Sequence, residues 1–97
     1  MTGADVVIYT SRTCGYCHAA KRLLERKGVA FREVATEGRA DLRRWLVEAS
    51  GQTTVPQVFI NGASIGGYSE LADMDDEGQL EDRLSTGPAV DTPSLPT

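Results

Sequence analysis

Val6-Val7-Ile8-Tyr9 is a short, wholly apolar run, and it reads as a strand buried on both faces. A turn through Ser11, Arg12 and Thr13 follows, and then a helix from about Cys14 or Gly15 to Lys27. Its apolar members Cys17, Ala20, Leu23 and Leu24 fall on one helical face, and Gly28 stands at the position where a left-handed residue closes a helix. Val29 to Val34 reads as a second strand. A strand, a helix and a strand in so short a stretch predict a right-handed βαβ unit with a parallel strand pair. Few folds open this way, so this segment constrains the rest.

The remainder completes the pattern. Leu42, Trp45, Leu46 and Ala49 recur at helical spacing and end at Ser50-Gly51. Gln57-Val58-Phe59-Ile60 and Ala63-Ser64-Ile65 are strand-like runs joined by Asn61-Gly62, the pair best suited to a tight hairpin. Pro56 must head its strand, because it has no amide to give to a ladder. Gly66-Gly67 opens a helix from Tyr68 to about Met74, and a short last helix is expected near Gln79 to Leu84. The order is β-α-β-α-β-β-α, an α/β chain with a four-stranded mixed sheet flanked by helices. The chemistry is expected at the end of the first strand. No internal repeat is visible. Three of the four prolines fall after residue 87, so we expect a folded domain over 1–85 and a disordered tail over 86–97.

With 97 residues, the chain is sized for one domain. Its 25% charged and 40% hydrophobic residues are ordinary for a globular domain. Residues 1–48 hold nine Lys+Arg and six Asp+Glu, whereas 49–97 hold one Arg and eight acids. The formal net charge of −4 argues against a nucleic-acid binder, which needs a basic footprint. No apolar run approaches the roughly 18 residues of a membrane span, so no membrane partner is expected. Met1 to Asp5 has neither a basic nor an apolar leader region, so a secretory signal is not expected and a cytoplasmic address is.

The only cysteines, Cys14 and Cys17, are too few for a disulfide scaffold or a structural zinc site. Cys14 falls where a strand ends and a helix begins. Unpaired amides and the positive end of the helix dipole there favour a thiolate. Cys17 lies one turn on, in the buried stripe. Geometry thus separates an exposed nucleophile from a shielded resolving thiol, the pair that thiol–disulfide exchange requires. Other readings remain. Cys14-Gly-Tyr-Cys17-His18 has the form of a haem attachment motif, with His18 and Met74 as axial ligands, but that chemistry normally belongs outside the cytosol. A [2Fe–2S] cluster shared by two chains through Cys14 stays open. Simple packing suits Cys17 better than Cys14.

Three motifs in order, Tyr9-Thr-Ser-Arg-Thr-Cys14-Gly-Tyr-Cys17, Thr54-Val55-Pro56 before a strand, and Gly66-Gly67-Tyr68-Ser69-Glu70-Leu71, resemble dithiol glutaredoxins, in particular the short bacterial glutaredoxin 3 type. The likeness covers about residues 5 to 85. It implies a thioredoxin-like fold, glutathione as reductant and co-substrate, and no tightly bound cofactor. Cys14 and Cys17 would be the catalytic pair. The glutathione cradle would comprise Arg12, Tyr16, Gln52, Thr54, Val55, Pro56, Gly67, Ser69 and Glu70. In the family the bond before the Pro56 position is cis, which turns the Val55 backbone to the ligand. Amides at Ser69 and Glu70 would take the γ-glutamyl carboxylate, since a helix N-terminus binds anions. The Glu70 side chain would take the ammonium, and Gln52 and Arg12 the glycyl carboxylate. Gly66-Gly67 would let the backbone approach closely.

The chain departs from the family at three of these places. Ser11 stands where Lys is common, with Arg12 one step later; Gly15 replaces the usual Pro; Glu70 replaces Asp. Gly-Tyr between the cysteines is also similar to mycoredoxins, which use another low-molecular-weight thiol. The resemblance implies a monomeric glutathione-dependent thiol–disulfide oxidoreductase whose partners are glutathione and glutathionylated or disulfide-containing client proteins. The alternative is a homodimeric carrier of a glutathione-ligated [2Fe–2S] cluster.

Overall fold

β1 (Val6–Thr10) is buried along its whole length, as a strand must be when it has neighbours on both sides and helices on both faces. It pairs in parallel with β2 (Arg32–Ala35) and antiparallel with β3 (Gln57–Ile60), which pairs antiparallel with β4 (Ala63–Gly66). The computed structural model describes residues 3–92 and 94–97, in a four-stranded sheet of order β2-β1-β3-β4. The expectations that touch Met1, Thr2 and Pro93 lie outside the described residues. Helices α1 (Gly15–Arg26), α2 (Ala40–Ser50), α3 (Tyr68–Asp76) and α4 (Leu80–Ser85) flank the sheet. The mixed sheet and its flanking helices follow the expected order, and α4 is the short last helix expected near Gln79 to Leu84.

Alternation along the two central strands divides the core into two layers. Val6, Ile8, Val58 and Ile60 face Ala20, Leu23 and Leu24 of α1, Leu71 of α3, and Leu80 and Leu84 of α4. Val7, Tyr9 and Phe59 face the other way, against Leu42 and Leu46 of α2, with Val34, Trp45 and Leu95 packed beside them. Here Tyr9, Trp45 and Phe59 form a three-ring cluster with centroids 5.3 to 5.6 Å apart. Ala49, the last member of the expected α2 stripe, is exposed.

The hairpin forms as the sequence demands: Asn61 (φ 53°) and Gly62 (φ 81°) both take the positive φ of the two-residue turn. β2 begins later than expected. The Val29 amide donates to Leu24 O and that of Gly28 to Glu25 O, so residue 29 still belongs to the closure of α1. Among the described residues beyond 85 there is no helix or strand. The segment nonetheless makes contacts: the Tyr9 hydroxyl donates to Pro96 O at 2.6 Å, Leu95 lies on the second core layer, and Asn61 Nδ2 donates to Thr86 O. No helix among the described residues is long and apolar enough to cross a membrane.

Candidate active site

The strand-to-helix junction after β1 delivers Cys14 as the N-cap of α1. Its Sγ accepts the Cys17 amide at 3.1 Å, doing with sulfur what a serine hydroxyl does at other helix starts. That donor is placed to stabilise negative charge on the sulfur. The Cys14 thiol is half-buried and donates to Val55 O at 3.4 Å, so the nucleophile lies against the segment before β3. The Val55–Pro56 peptide bond is cis, as the resemblance implies. Cys17, on the buried face of α1, is 1% exposed. Burial first, and then the hydrogen bond with Cys14, push its thiol up to about 12. The two sulfurs therefore differ in access, as their places in the sequence predict.

Beside Cys14 lies a cleft of about 310 Å³ lined by Tyr16, Gln52, Thr54, Val55, Pro56, Gly67, Tyr68, Ser69 and Glu70. Three parts of the chain build it: the first turn of α1, the loop before β3, and the start of α3. Eight of the nine residues named from the resemblance are in that wall. Arg12 is not. It lines a separate outer hollow with Thr10, Ser11, His18, Lys21, Glu33, Ala35 and Glu37. The Arg12 amide is held by the Glu37 carboxylate, which ties this turn to the segment after β2. His18 is exposed beside Lys21 and Glu33, while Met74 packs on the first core layer.

Two features of the wall differ from the sequence reading. Glu70 turns back to accept the Gly67 amide at 2.7 Å, the carboxylate half of a capping box. The close approach that Gly66 and Gly67 permit is internal. A Cβ on Gly66 would meet Glu70 Oε1 at 2.5 Å, and one on Gly67 would lie 3.3 Å from Pro56 O. Tyr68 has no role assigned by the sequence. Its ring stacks on that of Tyr16 at a centroid distance of 6.0 Å and an interplanar angle of 27°. Tyr68 is half-buried against the first core layer, whereas Tyr16 is 69% exposed. The anchored ring thus supports the free one beside Cys14. An aromatic directly after Gly-Gly, at the first position of a helix, was the signal available.

A second hollow of about 220 Å³ adjoins the cleft and shares Gln52, Thr54 and Val55 with it. Ser11, Thr36, Arg43, Val47 and Thr53 complete its lining with Leu46. Arg43, one turn before Val47 on α2, is the one charged residue in that lining.

Comparison with known proteins places these features. The pattern shared by the glutaredoxin family matches residues 6–65. Glutaredoxin 3 of Escherichia coli (strain K12) is 48% identical over 81 residues, covering 84% of this chain and 98% of that protein. The solution structure of a glutaredoxin from Brucella melitensis superposes with a TM-score of 0.80 at 41% identity, covering 93% of this chain and 98% of that one. The crystal structure of a buckwheat glutaredoxin–glutathione complex superposes with a TM-score of 0.78 at 29% identity, covering 86% of this chain and 78% of that one. The sheet order, the flanking helices and the cysteine pair at the head of α1 are those of a thioredoxin-like fold. The chain belongs to the glutaredoxin family, thiol–disulfide oxidoreductases that draw on glutathione as reductant.

Proposed function

We propose that this chain is a glutathione-dependent oxidoreductase that acts as a monomer on glutathionylated proteins and on protein disulfides. The observation that carries the reading is the convergence of eight expected ligand residues on one cleft beside Cys14. Glutathione is a tripeptide with two carboxylates and one ammonium, and the cleft offers a match for each part of it. The backbone N–H and C=O of Val55 pair with the cysteinyl residue in the manner of a short strand. The amides of Ser69 and Glu70, in the first turn of α3, take the γ-glutamyl carboxylate. Glu70 Oε2, left over from the cap, takes the ammonium, and Gln52 stands toward the glycyl carboxylate. Tyr16 covers the disulfide.

In the first step the Cys14 thiolate attacks the glutathione sulfur of a protein–glutathione disulfide. The Cys14–glutathione disulfide forms, and the protein thiolate leaves and takes up a proton. The thiolate of a second glutathione then attacks the bound glutathione sulfur. Glutathione disulfide leaves, and the Cys14 thiolate is restored. Cys17 stays out of this cycle. Burial first, and then the hydrogen bond with Cys14, raise the Cys17 thiol, and a second glutathione supplies the attacking thiolate in its place. On a protein disulfide Cys17 is the thiol held beside the Cys14 mixed disulfide, in the first turn of α1. Cys17 then attacks Cys14 Sγ, expels the client thiolate, and leaves a Cys14–Cys17 bond that two glutathiones reduce.

The test is steady-state reduction of a glutathione mixed disulfide, coupled through glutathione reductase to NADPH oxidation. Cys14→Ser is expected to abolish turnover, and Cys17→Ser to retain it while losing reduction of protein disulfides. Full turnover by the Cys14 variant would sink the assignment. A folded, reduced wild type with no turnover, but with a brown chromophore that Cys14→Ser lacks, would favour the cluster-bridged dimer. Turnover only with another low-molecular-weight thiol would move the ligand, not the chemistry.

A further inference from the structure

Gln57, the first residue of β3, is a polar side chain at 0% exposure, and its Oε1 has no hydrogen-bond partner among the described residues. An unpaired buried acceptor is unfavourable, and a position facing Tyr9 across β1 and β3 would suit an apolar residue. The reason for the amide lies in its other end. Nε2 donates to Thr54 O at 2.9 Å and to Gln52 Oε1 at 2.8 Å. Thr54 O can only accept, which fixes which way the amide points. Gln52 in turn presents Nε2 to Glu70 Oε1 at 3.4 Å, and Glu70 Oε1 also accepts the Gly67 amide. A single directional relay therefore runs from the buried strand β3 through the loop before it to the start of α3. Those are two of the three parts of the cleft wall.

We propose that Gln57 is a positioning residue of the cleft: its buried amide ties the loop carrying Val55 to the helix start carrying Ser69 and so sets the separation of two ligand-binding edges. The inference rests on the reading of the cleft as a thiol-tripeptide site. Gln57 touches no substrate itself. It acts through Thr54 and Gln52, which both line the cleft. The orphaned Oε1 follows from this use, because the nitrogen faces both acceptors and the oxygen is left buried without a partner.

The test is Gln57→Met, which keeps the length of the side chain and removes both donors. Losing hydrogen bonds of this strength should raise KM for the glutathione mixed disulfide about three- to tenfold, with kcat and the rate of Cys14 alkylation by iodoacetamide unchanged. An unchanged KM, or a fall in Cys14 alkylation equal to the fall in turnover, would overturn the proposal. A second measurement uses the wild type alone. The side-chain amide protons of Gln57 should exchange with solvent slowly, while those of exposed Gln79 serve as the fast internal reference. Exchange of both at the same rate would refute the relay even if the variant fails to fold. A wild type without turnover on the glutathione substrate overturns instead the reading on which the proposal stands, and the same assay shows it.

Discussion

Gly66 is a glycine because Glu70 folds over it. At φ 116° a side chain is strained, and its Cβ would lie 2.5 Å from the Glu70 carboxylate. Gly66→Ala should therefore lower stability by about 1–3 kcal/mol, read as a shift in the urea midpoint. In a Glu70→Ala background the loss should shrink, because the contact goes and only the backbone strain stays. Strict additivity of the two changes would show that they do not meet. Single residues were unevenly legible in the sequence. The roles of Cys14 and Cys17 followed from one helical turn of separation, since three residues move a side chain from a helix start to its buried face. Glu70 reads in the sequence as a ligand residue, and the fold also uses it as a cap, because the donor an acid turns to is set by the folded backbone. Arg12 was placed in the cradle by adjacency to Ser11. It lies instead in the outer hollow, where its amide meets Glu37, a residue 25 positions away that no local pattern connects to it.

Elements were legible where punctuation and periodicity agreed. Asn61-Gly62 fixed the hairpin, and Gly28 fixed the end of α1. α3 shows what happens when they part. Its apolar periodicity stops at Met74 because Asp75, Asp76 and Glu77 are solvated, yet the helix runs to Asp76 and closes at Gly78 with φ 75°. The Gly78 amide donates to Asp75 O and that of Gln79 to Met74 O, the same closure that Gly28 and Val29 make on α1. Gly78 was the stop signal, and it lay beyond the last apolar residue. β2 erred in the other direction. Val29-Ala30-Phe31 is strand-like in composition, but the amide of Val29 closes a helix, and ladder pairing begins at Arg32 opposite Val7. The charged residues Arg32 and Glu33 sit on an edge strand, where they discourage pairing with another sheet.

The two sheet faces are covered unequally. α1, α3 and α4 pack on one, and Lys27 at the end of α1 binds both Asp75 of α3 and Glu81 of α4. The other has α2 alone, with Leu95 beside it and Pro96 O on the Tyr9 hydroxyl. Composition alone, with prolines and few apolar residues, reads the tail as disordered; the contacts of Leu95 read it as a strap over the aromatic cluster. Ending the chain after Gly87 separates the two. Packing by Leu95 predicts a lower melting temperature and a red-shifted Trp45 emission on truncation, since Trp45 is the only tryptophan. A shortened chain with the same melting temperature and emission would favour disorder. Whole-molecule topology was the most legible level, because right-handed crossover and hairpin chemistry leave few arrangements for this element order. The cleft was legible only as a set of residues. Its assembly from three distant segments, and the buried Gln57 that joins two of them, depend on contacts that no single segment encodes.

The central claim is that Cys14 alone carries the glutathione intermediate, in the cleft beside Val55. The most direct measurement is intact mass and peptide mapping of Cys17→Ser after mixing with glutathione disulfide. One glutathione per chain, on Cys14 and removed by added glutathione, is expected. Protein left unmodified, with the Cys14 thiol still open to alkylation and the fold intact, would contradict it.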